Sequence, residues 1–496
     1  MRTPRVTVIG AGAGGLAAAI DLARAGAAVT ILERAPTPGG KIRQSQVAGT
    51  GIDAGPTVLT MRWVFDALFS DAGTSLSDHL TLHPAELLAR HAWSGTERLD
   101  LFADNDRSAD AIGRFAGSAE AAGFRAFCAR AQRVYRTLEG PFIRAARPTA
   151  VSLAAKSGVS EMFGISPFAT LWKALGDHFR DPRLRQLFGR YATYSGSSPF
   201  QAPATLMLIA HVEQQGVWLV EGGMVRLAQA LSDLAVRQGA VVRVDAHVAE
   251  IAVRGDRAAG VVLASGERIE SDAVVCNADF GALSSGIFGR AVAGAVPAAK
   301  RDGRSLSAVT WAVSATTAGF PLTRHNVFFS RNYKAEFDDV LRRGQLPTEP
   351  TVYVCAQDRG EPGAQPDGSP ERLLVLVNAP PTGDRHNFTG TEIEECARRT
   401  FGLLQRCGGL TVHRHPQSTT VTTPAAFEKL FPATGGALYG QAVHGSMAAF
   451  RRPGSRSAVA NLYLAGGSVH PGPGVPMAVL SGRQAAASLL KDLAST

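Results

Sequence analysis

The feature that most constrains this chain is a run of glycines set between a strand and a helix. Gly10-Ala11-Gly12-Ala13-Gly14-Gly15 follows the short apolar stretch Val6 to Ile9 and precedes an Ala/Leu-rich segment, Leu16 to Ala25, closed by Gly26. The first reads as a buried parallel strand and the second as a helix. Gly10, Gly12 and Gly15 complete the GxGxxG pattern in the context that gives it meaning. The first glycine permits a tight turn, the second lets the backbone approach a pyrophosphate, and the third allows close packing of helix on strand. The helix N-terminus then faces the phosphates. A second strand, Ala28 to Glu33, ends 23 residues after Gly10. A carboxylate there accepts hydrogen bonds from an adenosine ribose and repels a 2′-phosphate, so NADP is disfavoured. The plainer reading is a glycine-rich turn beside a surface glutamate.

The next segment distinguishes one dinucleotide from another. Pro38-Gly39-Gly40-Lys41-Ile42-Arg43 comes soon after Glu33 and Arg34, and then Asp53-Ala54-Gly55-Pro56-Thr57. An NAD domain would continue with regular βα units, whereas an extended glycine-rich segment suits the longer FAD. Lys41 and Arg43 place positive charge near the diphosphate, with solvated loop residues as the alternative for either. A second glycine-rich contact lies near the C-terminus. There Tyr463 to Gly466 ends a strand at Gly466-Gly467, and Gly474-Val475-Pro476-Met477 opens a last helix. Proline is favourable just inside a helix start. The N–H groups of that start can face the flavin pyrimidine ring or the ribityl chain and stabilise an anionic reduced flavin.

With 496 residues the chain exceeds one core, so two or three domains are expected. Hydrophobic residues at 45% and charged residues at 19% exclude a disordered chain. The net charge of +9 comes without a Lys/Arg block, which leaves a nucleic-acid role unsupported. That dispersed charge suits either an ordinary arginine-rich surface or contact with an anionic membrane. The five cysteines, Cys128, Cys276, Cys355, Cys396 and Cys407, form no CxxC. They imply a reducing compartment with no disulfide framework and no metal site. Residues 1–20 imitate a secretory signal, but glycines interrupt the apolar run at positions the cofactor reading requires. No stretch reaches the ~18–20 apolar residues of a membrane span. The expected location is cytoplasmic, or peripheral to the inner or an intracytoplasmic membrane. The stretch from about residue 65 to 187 reads as mostly helical, and 306–423 as strands and helices of another domain.

These blocks, with Gly55-Pro56-Thr57-Val58-Leu59-Thr60-Met61-Arg62, Glu221-Gly222-Gly223-Met224 and Leu227, resemble the carotenoid desaturase family of flavoproteins, in the wider amine-oxidase-like group. The stretch after Gly55 is similar to the subgroup acting on hydroxylated carotenoids. The resemblance implies an α/β fold: a Rossmann-type, amine-oxidase-like or GDI-like FAD domain from 1–75, 215–285 and 455–496. It adds a mixed-sheet substrate domain over 286–454 and a helical, membrane-facing cap over 90–214. It further implies a main-chain adenine contact at Val248, and a return strand toward the cofactor at Val275 to Asp279, including Asn277. FAD should be non-covalent, since no cysteine follows Cys407.

The implied activity is desaturation of an acyclic hydroxylated carotenoid at C3–C4, as in spheroidene- or spirilloxanthin-type biosynthesis, with oxygen or a quinone as final electron acceptor. Hydride loss from an allylic carbon leaves a delocalised cation, so a weak base suffices for the proton and the flavin carries the hard step. His470 is the candidate acceptor, with a structural role in the C-terminal loop as its alternative. Phe163 to Phe168, within a helical region of about 115–179, is the expected membrane-docking stretch. Three other readings stay open: a phytoene-type desaturase, an oxidase of amines or another isoprenoid, and a redox-silent prenyl-lipid carrier on the same fold.

Overall fold

The structure, a computed structural model, describes residues 3–146, 148–149, 152–153, 168–360 and 368–495. Its organising element is a five-stranded parallel sheet in the order Leu462–Leu464, Ala273–Cys276, Arg5–Ile9, Ala28–Leu32, Val241–Arg243. The strands are short apolar runs because both faces of the sheet are covered. Val8 pairs with Ile31 on one side and Val275 on the other, and all three are buried. The N-terminal unit, the middle of the chain and the C-terminus thus meet in one sheet.

Helix Ala13–Arg24 starts three residues before the expected Leu16, with Gly12 as its N-cap. Gly14 and Gly15 therefore lie in its first turn. The last helix, Val475–Leu493, crosses this helix at close range. A Cβ at Gly482 would lie 2.0 Å from the Gly14 carbonyl oxygen. A three-stranded antiparallel sheet, Val248–Arg254, Arg257–Leu263 and Arg268–Glu270, flanks this unit.

A seven-stranded sheet forms the second layer, in the order Thr419–Thr422, Ser307–Ala315, Glu371–Ala379, Val352–Ala356, His325–Phe328, Leu87–Ala92, Arg98–Phe102. It is mixed, as expected: the pair His325–Phe328 and Leu87–Ala92 is parallel and its neighbours are antiparallel. Two of its strands come from the stretch read as mostly helical. Arg98-Leu99-Asp100-Leu101-Phe102 alternates in polarity with the period of a strand. The Ala/Arg-rich composition around it obscured that short signal.

Helices Asn105–Ala116, Ser118–Leu138, Pro182–Gly189 and Leu208–Gln214 pack against this sheet. Asp104 and Asp181 cap the first and third by accepting hydrogen bonds from the N–H groups of the opening turn. All five cysteines are unpaired and buried. Among the described residues, no helix is long and apolar enough to cross a membrane and no cluster could hold a metal ion. Of the expected docking stretch, 163–167 lies outside the described residues.

Candidate functional site: a glycine cradle opening into an apolar cavity

A cavity of about 730 Å³ runs from the glycine turn to the helices below the mixed sheet. One end is the cradle. Gly10 has φ +92°, in the left-handed region that favours glycine. A Cβ on Gly15 would lie 2.1 Å from the Gly10 carbonyl oxygen, so Gly15 serves the close packing of helix on strand. Neither Gly15 nor Ala11 lines the cavity, whereas Gly10, Gly12, Ala13 and Gly14 do. The Ala11 N–H is already used, donating to Glu33 Oε2 at 2.7 Å, and Ala35 N–H donates to Oε1 at 2.9 Å. The buried Glu33 carboxylate is thus held at the cavity wall with lone pairs to spare. Arg34, beside it, donates to the carbonyls of Lys429 and Leu430. Val248 and its neighbours Ala246 and His247 complete the wall at this end.

Gly40, Lys41, Arg43, Gly55, Pro56 and Thr57 line the next part. Lys41 Nζ donates to the Leu438 carbonyl at 2.5 Å, and burial lowers its pKa. Arg43 stacks over Phe427 at 5.5 Å, and burial likewise lowers its pKa. Asp53 ties two of the sequence blocks together, since its Oδ2 accepts from the Met224 N–H at 2.5 Å. A Cβ on Gly223 would strike that same oxygen at 2.5 Å, which accounts for the paired glycines before Met224. From the C-terminal block, Gly466, Gly467, Gly474, Val475, Pro476 and Met477 all reach the wall. Asn277 lies between the two glycine blocks, donating from Nδ2 to the Gly10 carbonyl at 3.3 Å. Apart from Ala11 and Gly15, the candidate cofactor residues surround one space. Its glycine floor, free helix N-termini and buried carboxylate suit an adenine–diphosphate–flavin ligand.

His470 is the residue the structure does not bring there. It is buried, and Nε2 contacts the carbonyls of Phe142 at 3.0 Å and Ala145 at 2.8 Å. Both partners are acceptors, so Nε2 carries the proton and is not free to accept another. Burial pushes the imidazole pKa down to about 4. His470 ties the C-terminal loop to the segment that follows helix Ser118–Leu138, the structural role that stood as its alternative reading.

Several wall residues were not singled out in the sequence. Arg452 is buried and donates to the carbonyls of Gly467, Ser468, Tyr439 and Gln441. Burial pushes its pKa down to about 10. Deeper in, Thr57, Tyr353 and His325 form a chain, with Oγ1 to Oη at 2.8 Å and Oη to Nδ1 at 2.7 Å. Burial pushes the His325 pKa down to about 3, and that of nearby His91 likewise to about 3. Arg190, Tyr191, Tyr194 and Glu213 form a further polar group. Around it the wall is aliphatic and aromatic, with Leu138, Phe142, Leu187, Leu206, Ile209 and Val217.

The two sheets, the cradle and the apolar cavity define a flavoprotein of the amine-oxidase type. The chain belongs to the flavin-containing amine oxidoreductase family, whose model matches residues 13–490, and its cofactor is FAD. Within that breadth it is 55% identical to the hydroxyneurosporene desaturase of Rubrivivax gelatinosus, over 100% of this chain and 95% of the relative. It is 46% identical to the hydroxyneurosporene desaturase of Cereibacter sphaeroides, over 99% and 98% of the two chains. The fold is similar to that of a putrescine oxidase solved with putrescine bound, with a TM-score of 0.59 and 15% identity over 99% of each chain.

Proposed function

We propose that this protein desaturates an acyclic hydroxylated carotenoid, introducing the C3–C4 double bond of 1-hydroxyneurosporene or a similar polyene. One observation carries the reading: a chain 55% identical over its full length to a hydroxyneurosporene desaturase encloses an apolar cavity continuous with the flavin cradle. Bound FAD, held without a covalent link, supplies the hydride acceptor. The chain supplies the rest. Glu33 and the main chain around Val248 hold the adenosine end. Gly12, Ala13 and the start of helix Ala13–Arg24 meet the diphosphate, where unpaired N–H groups favour negative charge. The helix starting at Val475 does the same for the far end of the cofactor.

The apolar wall would hold the polyene in one orientation and exclude water, so that positioning replaces random encounter. Hydride leaves one carbon and a proton leaves its neighbour, and the electron pair of that C–H bond becomes the new double bond. Between the two losses the positive charge is delocalised along the polyene, so the proton needs only a weak acceptor. Tyr353 Oη, shared between Thr57 and His325, is a hydroxyl on the wall able to pass a proton along its hydrogen bonds.

The substrate is a long polyene with little solubility in water, and the protein takes it from a membrane face. Phe168, 77% exposed at the edge of the helical region, supports that reading. The experiment is incubation of the FAD-loaded protein with 1-hydroxyneurosporene in membranes, followed by absorption spectroscopy of the extracted pigment. A shift to longer wavelength is expected, because the new bond extends the conjugation. An unchanged pigment, with oxygen and a quinone each supplied as acceptor, removes the proposal.

A further inference from the structure

Arg190 is a cation set in the wall of a cavity that is otherwise mostly apolar. Its guanidinium donates a hydrogen bond from Nη2 to Tyr194 Oη at 3.2 Å. An arginine has five N–H groups; among the described residues Tyr194 is the acceptor this one has, and Arg190 lines the cavity. The partners around it leave no carboxylate free to compete. Tyr191 donates to Glu213 Oε2 at 2.7 Å and Tyr194 donates to Glu213 Oε1 at 2.8 Å. Both phenolic protons are therefore committed to Glu213, and the Tyr194 oxygen is turned as an acceptor toward Arg190. Burial opposes the Arg190 charge, but Tyr194 and Glu213 offset it and hold the pKa above the ordinary value. What sets the cluster apart in this mostly apolar wall is a cation with N–H donors to offer a guest.

A buried cation with unused donors costs stability unless a ligand completes it. The complement is a single oxygen acceptor carried on an apolar body. We propose that Arg190, positioned by Tyr194 and Glu213, is the receptor for the oxygen-bearing end of the substrate: a tertiary alcohol or ether oxygen at the terminus of an acyclic polyene. This rests on the functional reading above and assigns its specificity. Position agrees with the chemistry. Tyr353 bonds to Thr57 in the cofactor loop, and Tyr194 lies within electrostatic reach of Tyr353. The polar patch and the cofactor loop thus belong to one wall. An oxygen on C1 stands only two carbons from C3, so a receptor close to the loop holds C3–C4 at the reacting position. A hydrocarbon end would leave the guanidinium unpaired and be rejected.

The test uses the FAD-loaded protein and the variants Arg190→Met, Arg190→Lys and Tyr194→Phe, with 1-hydroxyneurosporene and neurosporene as paired probes. Turnover gives the ratio of kcat/KM for the hydroxylated over the plain polyene, and quenching of flavin fluorescence gives the ratio of binding constants. Loss of a hydrogen bond from a charged donor corresponds to about 10- to 100-fold. That fall in both ratios is expected for Arg190→Met. A smaller fall is expected for Tyr194→Phe, and partial retention for Arg190→Lys. Unchanged ratios in flavin-retaining Arg190→Met overturn the assignment. Should that variant lose its flavin, unchanged ratios in both Arg190→Lys and Tyr194→Phe overturn it instead. If the wild-type protein turns over neither polyene yet binds the hydroxylated one in an Arg190-dependent way, the receptor stands and the desaturase reading fails.

Discussion

Gly482 lies against the Gly14 carbonyl so closely that a Cβ at residue 482 would sit 2.0 Å from that oxygen. The obstacle is backbone, which cannot turn aside as a side chain can. This contact lets the last helix cross the first next to the diphosphate cradle. Gly482→Ala should therefore separate the two helices at a cost of roughly 1–3 kcal/mol, as for other overpacked sites. Thermal unfolding should show a midpoint lower by several degrees, with reduced flavin retention after gel filtration. A midpoint equal to that of the unmodified protein would show that the helices yield freely here.

At Gly12 the constraint is the ligand as well as the fold. The position has an ordinary backbone conformation, φ −74°, but an added Cβ would lie 2.9 Å from Asn277 Nδ2. Gly12→Val should purify without yellow colour while keeping most of its helix signal in circular dichroism. Normal flavin occupancy in that variant would show that the turn is not the diphosphate site.

Acid should destabilise the protein through buried neutral histidines. His470 and His444 have pKa values pushed down to about 4, and His91 and His325 to about 3, in each case chiefly by burial. The unfolded chain takes up a proton at each near pH 6.5, whereas the folded protein does not until well below pH 5. Their contribution is present in full above pH 6.5 and is lost as pH falls toward 4. Each such histidine contributes at most about 3 to 5 kcal/mol to that loss once the pH has fallen through its folded pKa. Melting midpoints recorded from pH 8 to pH 4 should fall steadily below pH 6.5. His470→Gln should lower stability at neutral pH by about 1–2 kcal/mol through its lost bonds to Phe142 and Ala145. It should also make the acid loss shallower, and an unaltered acid profile would contradict the tether.

The proposed membrane docking would depend on apolar side chains that find no cover in the protein. Phe168 is 77% exposed. Burying an aromatic side chain contributes ~1.5–3 kcal/mol, so Phe168→Asp should weaken association with anionic vesicles by about tenfold or more. Flotation on a density gradient measures this directly. Wild-type protein that stays at the bottom of the gradient with anionic lipid present removes the membrane reading.

Much of the cofactor half was legible because its chemistry is local. Gly10 to Gly15, Glu33, Gly55 to Thr57 and Gly466 to Met477 are contiguous segments whose glycines and helix starts carry their meaning in a few residues. Strand order was less legible, since Arg98–Phe102 is a five-residue strand in an Ala/Arg-rich setting. Arg452 was not legible, for nothing adjacent in sequence announces the carbonyls of Gly467, Ser468, Tyr439 and Gln441 to which it donates.

By itself the amino-acid sequence determined a dinucleotide cradle, a flavin rather than a nicotinamide, and the family to which the chain belongs. Each depends on backbone conformation over short spans, where residue type decides which turns and approaches are allowed. Only the tertiary structure brought His470 against the carbonyls of Phe142 and Ala145 and set Arg190 in the cavity wall. Those roles depend on neighbours distant in the chain: Phe142 for His470, and Glu213 with its two tyrosines for Arg190. A side chain's protonation and reach are set by what packs around it, and that is known only once the helices and the mixed sheet have closed over one space.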